Sequence, residues 1–214
     1  MSRPPLPIAV LVSGNGSNLQ AIIDAAAGGT LDARVVQVVS DRPGVPALER
    51  ARAAGIPATT VRPADYPDRE AWTAALGRAL DASGAGLVVL AGFMKVLDAA
   101  LVRRWAGRML NVHPSLLPKY RGLHTHRRAL EAGDEVHGTS IHFVTEELDG
   151  GPVILQARIP VRPGDDEASL NARIQAREHE VYPEVIGWFA SGRLSLGPDG
   201  IVLDGRPLDA PVVR

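Results

Sequence analysis

Short runs of apolar residues alternate with stretches of helical periodicity through the first half of the chain, and that rhythm leaves few folds open. Ile8-Ala9-Val10-Leu11-Val12 reads as a buried strand, closed by Ser13-Gly14-Asn15-Gly16. Residues 17 to about 27 read as a helix, 34–40 as a second buried strand, and 45–54 as a helix stopped by Gly55. A short strand over 58–61 precedes a helix over 68 to about 82, whose N-terminal Asp68 complements the helix dipole. Leu87-Val88-Val89-Leu90-Ala91 is the next strand. Strands apolar on both faces, alternating with helices, argue for a mainly parallel sheet covered on both sides, a Rossmann-like α/β architecture.

The pattern changes after the strand at 109–113. A loop to about Gly122 leads into a helix near 125–132, and then 137–144 and 153–161 read as an antiparallel C-terminal hairpin added to the sheet. Residues 166 to about 189 form a long closing helix, with Pro183 as a candidate break, and a weak hairpin is expected around Asp204-Gly205. The 214 residues suit one domain, with a core over about 8–190 and a tail over 191–214. A net charge of -1 gives no long-range field that favours nucleic acid or an acidic membrane surface. Cysteine is absent, which removes disulfides, thiolate metal sites and a cysteine nucleophile. The apolar run at the N-terminus is too brief for a signal peptide or a membrane span, so a cytoplasmic protein is expected.

Three segments carry candidate chemistry. Ser13-Gly14-Asn15-Gly16-Ser17-Asn18 is a glycine turn between a first strand and a first helix, where backbone N–H groups and the helix dipole can cradle a phosphate. It lacks the third glycine of the dinucleotide fingerprint, since Leu19 stands there, so Asp41 at the end of the second strand is weak support for a nucleotide cofactor. Asn111-Val112-His113-Pro114 places an amide and an imidazole two apart, hence on one face of a strand that breaks at the proline. Asp149-Gly150-Gly151-Pro152 follows, its carboxylate 36 residues after the histidine. An amide N–H and an imidazolium can stabilise the oxyanion of acyl transfer to an amine, and Asp149 can orient the ring. The third segment, Leu90-Ala91-Gly92-Phe93-Met94-Lys95-Val96-Leu97, is an apolar loop at a strand end that could wall a flat heteroaromatic ligand. Among the other histidines, His124 and His126 lack acidic or thiolate neighbours in sequence, and His142 is as well placed to be structural as to support the site. No metal site is expected.

Taken together, these stretches resemble the folate-dependent phosphoribosylglycinamide formyltransferases of purine biosynthesis, within the wider formyltransferase superfamily. Asn111-Val112-His113-Pro114-Ser115-Leu116-Leu117-Pro118-Lys119-Tyr120, His137-Gly138-Thr139-Ser140 and Glu147-Leu148-Asp149-Gly150-Gly151-Pro152 extend the likeness, which spans roughly residues 8–189. The resemblance implies a formyltransferase fold and small-molecule substrates, with 10-formyltetrahydrofolate as donor and phosphoribosylglycinamide as acceptor. It implies that Asn111, His113 and Asp149 are catalytic. It places Gly16, Ser17 and Asn18 on the acceptor, mainly its phosphate, together with Glu178. It puts Arg69, Met94, Lys95, Val96, Leu97 and Asn111 on the folate side. Lys95 stands where arginine is common in the family, and Arg121 where proline often follows the tyrosine. A monomer or homodimer is expected. The alternatives are a formyltetrahydrofolate hydrolase or a methionyl-tRNA formyltransferase, for which the extra N-terminal or basic C-terminal domain is not expected here, and a nucleotide-binding module without chemistry.

Overall fold

A computed structural model describes residues 4–214. Across its eight-stranded sheet the strands lie in the order Val212–Val213, Val153–Pro160, Val136–Phe143, Met109–His113, Leu87–Leu90, Leu6–Val12, Ala33–Ser40 and Ala58–Thr60. The parallel half comprises β1 (Leu6–Val12), β2 (Ala33–Ser40), β3 (Ala58–Thr60), β4 (Leu87–Leu90) and β5 (Met109–His113). The expected hairpin is β6 (Val136–Phe143) with β7 (Val153–Pro160), and β6 runs antiparallel to both β5 and β7.

β1 shows why the strands lack polar alternation. Ile8, Val10 and Val12 enter one core and Ala9 and Leu11 the other, all fully buried. The first core is closed by α1 (Ser17–Ala27), α2 (Pro46–Ala53) and α6 (Glu167–Ala190), through Leu19, Ile22, Leu48, Val181, Tyr182 and Val185. The second is closed by α3 (Arg69–Ala82) and α4 (Ala99–Arg104), through Trp72, Leu76, Leu80 and Leu101. Helix α5 (Thr125–Glu131) lies outside both cores and packs on α6. The buried Tyr182 hydroxyl sits 3.0 Å from the Leu90 carbonyl and 3.1 Å from that of Leu110, tying α6 to the last residue of β4 and the second residue of β5.

Several sequence expectations are adjusted by the structure. Helix α6 runs unbroken through Pro183. Val181, Tyr182, Val185 and Ile186 are buried on both sides of the proline, and that packing outweighs the ~3 kcal/mol such a residue costs inside a helix. Asp68 caps α3 from outside, its side chain accepting from the Ala71 N–H. A 3₁₀ turn at Pro63–Asp65 was not foreseen. The tail is more ordered than a weak hairpin: β8 (Leu194–Gly197), β9 (Gly200–Leu203) and β10 (Arg206–Pro207) form a second antiparallel sheet. Asp204 (φ 53°) and Gly205 (φ 75°) make its last turn, and β11 (Val212–Val213) returns to pair in parallel with β7.

Two glycines fix the loops above the strand ends. Gly16 is left-handed (φ 75°), and an added Cβ would lie 2.6 Å from Ala47 Cβ, so only glycine lets the first turn pass against α2. A Cβ on Gly151 would collide with the Phe143 carbonyl oxygen. Gly151→Ala is therefore expected to push the turn carrying Asp149 off β6, costing about 1–3 kcal/mol in chemical denaturation and lowering kcat together with it. An unchanged midpoint and kcat would show that the turn adapts.

Candidate active site

β5 ends under a set of loops that bring the candidate catalytic groups together. Asn111 and His113 share one face of β5, opposite His142 and Ser140 of β6. His142 Nδ1 donates to the Phe143 carbonyl at 2.9 Å, which leaves Nε2 as acceptor for the Asn111 amide at 3.1 Å. Burial favours the neutral His142 ring, against the opposite pull of the Phe143 carbonyl and Asp149. A neutral His142 thus fixes which end of Asn111 carries the N–H groups, and leaves one of them free to donate elsewhere.

His113 is 6% exposed and has an oxygen at each ring nitrogen. Its Nε2 lies 2.9 Å from the Tyr120 carbonyl, and Nδ1 lies 3.4 Å from Asp149 Oδ2. The Tyr120 carbonyl can only accept, so Nε2 carries an N–H, and a carboxylate oxygen stands within ion-pair distance of Nδ1. The same Asp149 oxygen accepts from the Gly122 N–H at 2.9 Å, and its other oxygen is 3.8 Å from His142 Nε2. Asp149 and Tyr120 are both left-handed, with φ of 48° and 56°. Two non-glycine residues in that region, each aiming a group at one imidazole, are strain of the kind found at functional sites.

The structure arranges the remaining candidates around this trio. A cavity of about 440 Å³ is lined by the glycine turn, Gly92, Pro114, Gln175 and Glu178. Gly16 is the N-cap of α1, where no side chain caps the helix and no acid stands in the first turn, so its first N–H groups are available to an anion. Glu178, 5% exposed, accepts from Asn18 Nδ2 at 2.8 Å and Thr139 Oγ1 at 3.0 Å. Burial raises its carboxyl above the ordinary range, and these two donors work against that rise.

On the other side of the 91–97 loop, a slot of about 80 Å³ is lined by Leu90, Phe93, Lys95, Val96, Leu97, Asn111, His142 and the 144–149 turn. Lys95 and Val96 also border an open groove of about 470 Å³ with Tyr66, Arg69 and Trp72. Arg69 donates to the carbonyls of Val96 at 3.0 Å and Leu97 at 3.4 Å, so it braces this loop. Met94, placed with the folate-side residues on sequence, lines the glycine-turn cavity, its N–H held by Ser13 Oγ at 2.8 Å.

Sequence reasoning missed the Tyr120 carbonyl, and it left the role of His142 open. Only the β5–β6 register brings His142 opposite Asn111, and no local pattern encodes that. Asn171, Gln175 and Arg42 line the glycine-turn cavity and were also missed. The i, i+4, i+7 spacing of Asn171, Gln175 and Glu178 on one helix was the available signal.

A sequence model of the formyl transferase family matches residues 6–186. Over 201 residues the chain is 55% identical to the phosphoribosylglycinamide formyltransferase of Escherichia coli K12, covering 94% of this chain and 95% of that protein. The chain belongs to the phosphoribosylglycinamide formyltransferase family. It is accordingly a formyl-group transferase. It is also 41% identical to part of the human trifunctional purine biosynthetic protein adenosine-3, over 90% of this chain and 19% of that one. The solved phosphoribosylglycinamide formyltransferase of Coxiella burnetii superposes with a TM-score of 0.94 at 47% identity, covering 98% of this chain and 99% of that one. Within the family fold, the mainly parallel sheet carries the trio at the C-terminal end of β5, the usual place for chemistry in such sheets.

Behind the trio, His126 Nδ1 and His137 Nε2 are 3.3 Å apart, and His137 is 1% exposed. Burial, reinforced by His126, pushes His137 down to about 4. The folded protein keeps this ring neutral while the unfolded chain takes up a proton near pH 6.5. Stability is therefore unaffected above that pH and falls as pH drops from about 6.5 to 4, by up to about 3 kcal/mol for this group. Thermal melts across that window check this, with a shallower fall expected for His137→Gln. An equal slope in the variant would move the origin elsewhere.

Proposed function

We propose that the chain transfers the formyl group of 10-formyltetrahydrofolate to the amine of phosphoribosylglycinamide, with Asn111, His113 and Asp149 as the catalytic set. The observation that supports this most is the Asn111–His113–Asp149 cluster standing between an anion-suited cavity and an apolar slot. The acceptor's phosphate sits on Gly16, Ser17 and Asn18, and Glu178 receives its ribose or glycinamide donors. The donor's ring enters the slot beside Lys95, Val96 and Leu97, with Arg69 bracing the loop and Met94 facing the glycine-turn cavity instead.

The neutral amine attacks the formyl carbon, and the carbonyl oxygen gains negative charge. Asn111 Nδ2 and a His113 N–H donate to that oxygen, while Asp149 supports the charged ring. The Tyr120 carbonyl occupies the His113 Nε2–H in the ligand-free arrangement and gives way to the substrate. As the intermediate collapses, the C–N bond to the folate N10 breaks, and the proton lost by the attacking amine passes to N10. Holding two reactants in register contributes up to ~7–11 kcal/mol, so positioning carries much of the rate. The chain acts on small molecules and needs no covalent intermediate on this route.

Names of relatives and the glycine turn favour this acceptor over water or methionyl-tRNA. The test is an assay of donor consumption with and without the purine precursor. Consumption that depends on the acceptor and matches N-formyl product supports the reading. Formate release at the same rate from donor alone would replace it with hydrolysis.

A further inference from the structure

The acceptor-side cavity contains a charge that the mechanism does not use. Among the described residues lining it, Arg42 is the one cationic side chain, and Glu178 the one anionic. The Arg42 backbone is held on both sides by Ser40: its N–H donates to Ser40 Oγ at 3.0 Å, and that hydroxyl donates to the Arg42 carbonyl at 2.8 Å. The side chain, by contrast, is 57% exposed, and its nearest carboxylate is Asp41 Oδ2 at 3.6 Å from Nε. Asp41 is 4% exposed, and neither of its oxygens makes a hydrogen bond.

A buried carboxylate without donors is costly, and the neighbouring guanidinium is the group able to relieve it. With Nε turned toward Asp41, the planar fork presents its two Nη groups together, the geometry that grips a phosphate by two parallel bonds. The same cavity is lined by the uncapped N-terminus of α1. Backbone N–H groups and a helix dipole supply only partial charge against a phosphate monoester, and Glu178 adds charge of the wrong sign in the same space. A full positive charge in this cavity adds to the preference of the helix N-terminus for a phosphorylated acceptor.

We infer that Arg42, oriented by Asp41, grips the phosphate of the acceptor together with the glycine turn and sets the preference for a phosphorylated substrate. This rests on the assignment of that cavity to the acceptor. Asp41 acts through Arg42 and is a positioning residue.

The experiment compares kcat/KM for phosphoribosylglycinamide and for its dephosphorylated ribosyl counterpart in wild type, Arg42→Ala, Arg42→Lys and Asp41→Asn. Arg42→Ala is expected to lower the preference for the phosphorylated acceptor by about 10- to 100-fold, mostly through the KM of that acceptor. Arg42→Lys restores part of it, since the charge remains and the fork is lost. Asp41→Asn falls between wild type and Arg42→Ala. A preference within twofold of wild type in Arg42→Ala would overturn the inference, and the same result in Asp41→Asn alone would overturn the orienting role. A purely structural defect would lower kcat/KM for both acceptors alike and leave the ratio unmoved, which also counts against it. If the wild type itself shows no preference for the phosphorylated acceptor, the assignment of the cavity fails rather than the role of Arg42.

Discussion

Asn111→Ala lowers kcat for formyl transfer by about 10²–10³, and His113→Ala by about 10²–10⁴, while the acceptor still binds. Each removes a donor that matters most when the formyl oxygen becomes an oxyanion, so the loss falls on kcat. Neither residue lines the glycine-turn cavity, so titration calorimetry with the acceptor alone reports a Kd within a few-fold of wild type. Asn111→Ala also leaves His142 Nε2 without its partner inside a buried site, which adds a small stability loss of about 1–3 kcal/mol. The double variant loses less than the product of the two single losses, because both donors serve one oxygen. Near-normal turnover in either single variant contradicts the assignment.

The second large effect is at Asp149. Asp149→Asn removes the negative charge beside His113 Nδ1 but keeps an oxygen for the Gly122 N–H and tolerates the left-handed backbone. It is expected to lower kcat by on the order of 10²-fold or more with the melting temperature nearly unchanged. Asp149→Ala shares the kinetic loss and adds a conformational penalty of roughly 1–2 kcal/mol at φ 48°. Comparing kcat and melts of the two separates the charge from the turn. If Asp149→Asn keeps full activity, the carboxylate serves only to shape the loop.

How far the site was legible depends on the range of the contacts that make it. Helix α1 has the span expected from its apolar spacing, Ser17–Ala27, because the glycine turn and the Gly28-Gly29 exit are both local signals. Asn111 and His113 were readable as neighbours on one strand face because two-residue alternation is a property of the strand itself. Their approach to Asp149 depends on the β6–β7 turn folding back over β5, and the pattern of residues alone offers no measure of that distance. The link between Asp149 and the ring rested on the chemistry of acyl transfer and on the family likeness. The partner of Asn111 was hidden for the same reason, since His142 meets it only through antiparallel register. In the tail, β11 joins the sheet edge through a two-residue pairing too short to leave a periodic signal. At Pro183 a local rule pointed to a break, and long-range burial on both sides prevailed.

The central claim is that one space at the end of β5 holds the formyl carbon between the amine of a phosphate-anchored acceptor and the Asn111–His113 donors. A crystal structure with the acceptor and a non-transferable analogue of the donor tests this most directly. The expected result is phosphate on the N-terminus of α1 and the analogue's carbonyl oxygen about 2.7–3.1 Å from Asn111 Nδ2. The acceptor amine should lie about 3–3.5 Å from the carbonyl carbon. A carbonyl oxygen pointing away from both Asn111 and His113, with the amine out of reach of that carbon, would contradict the account.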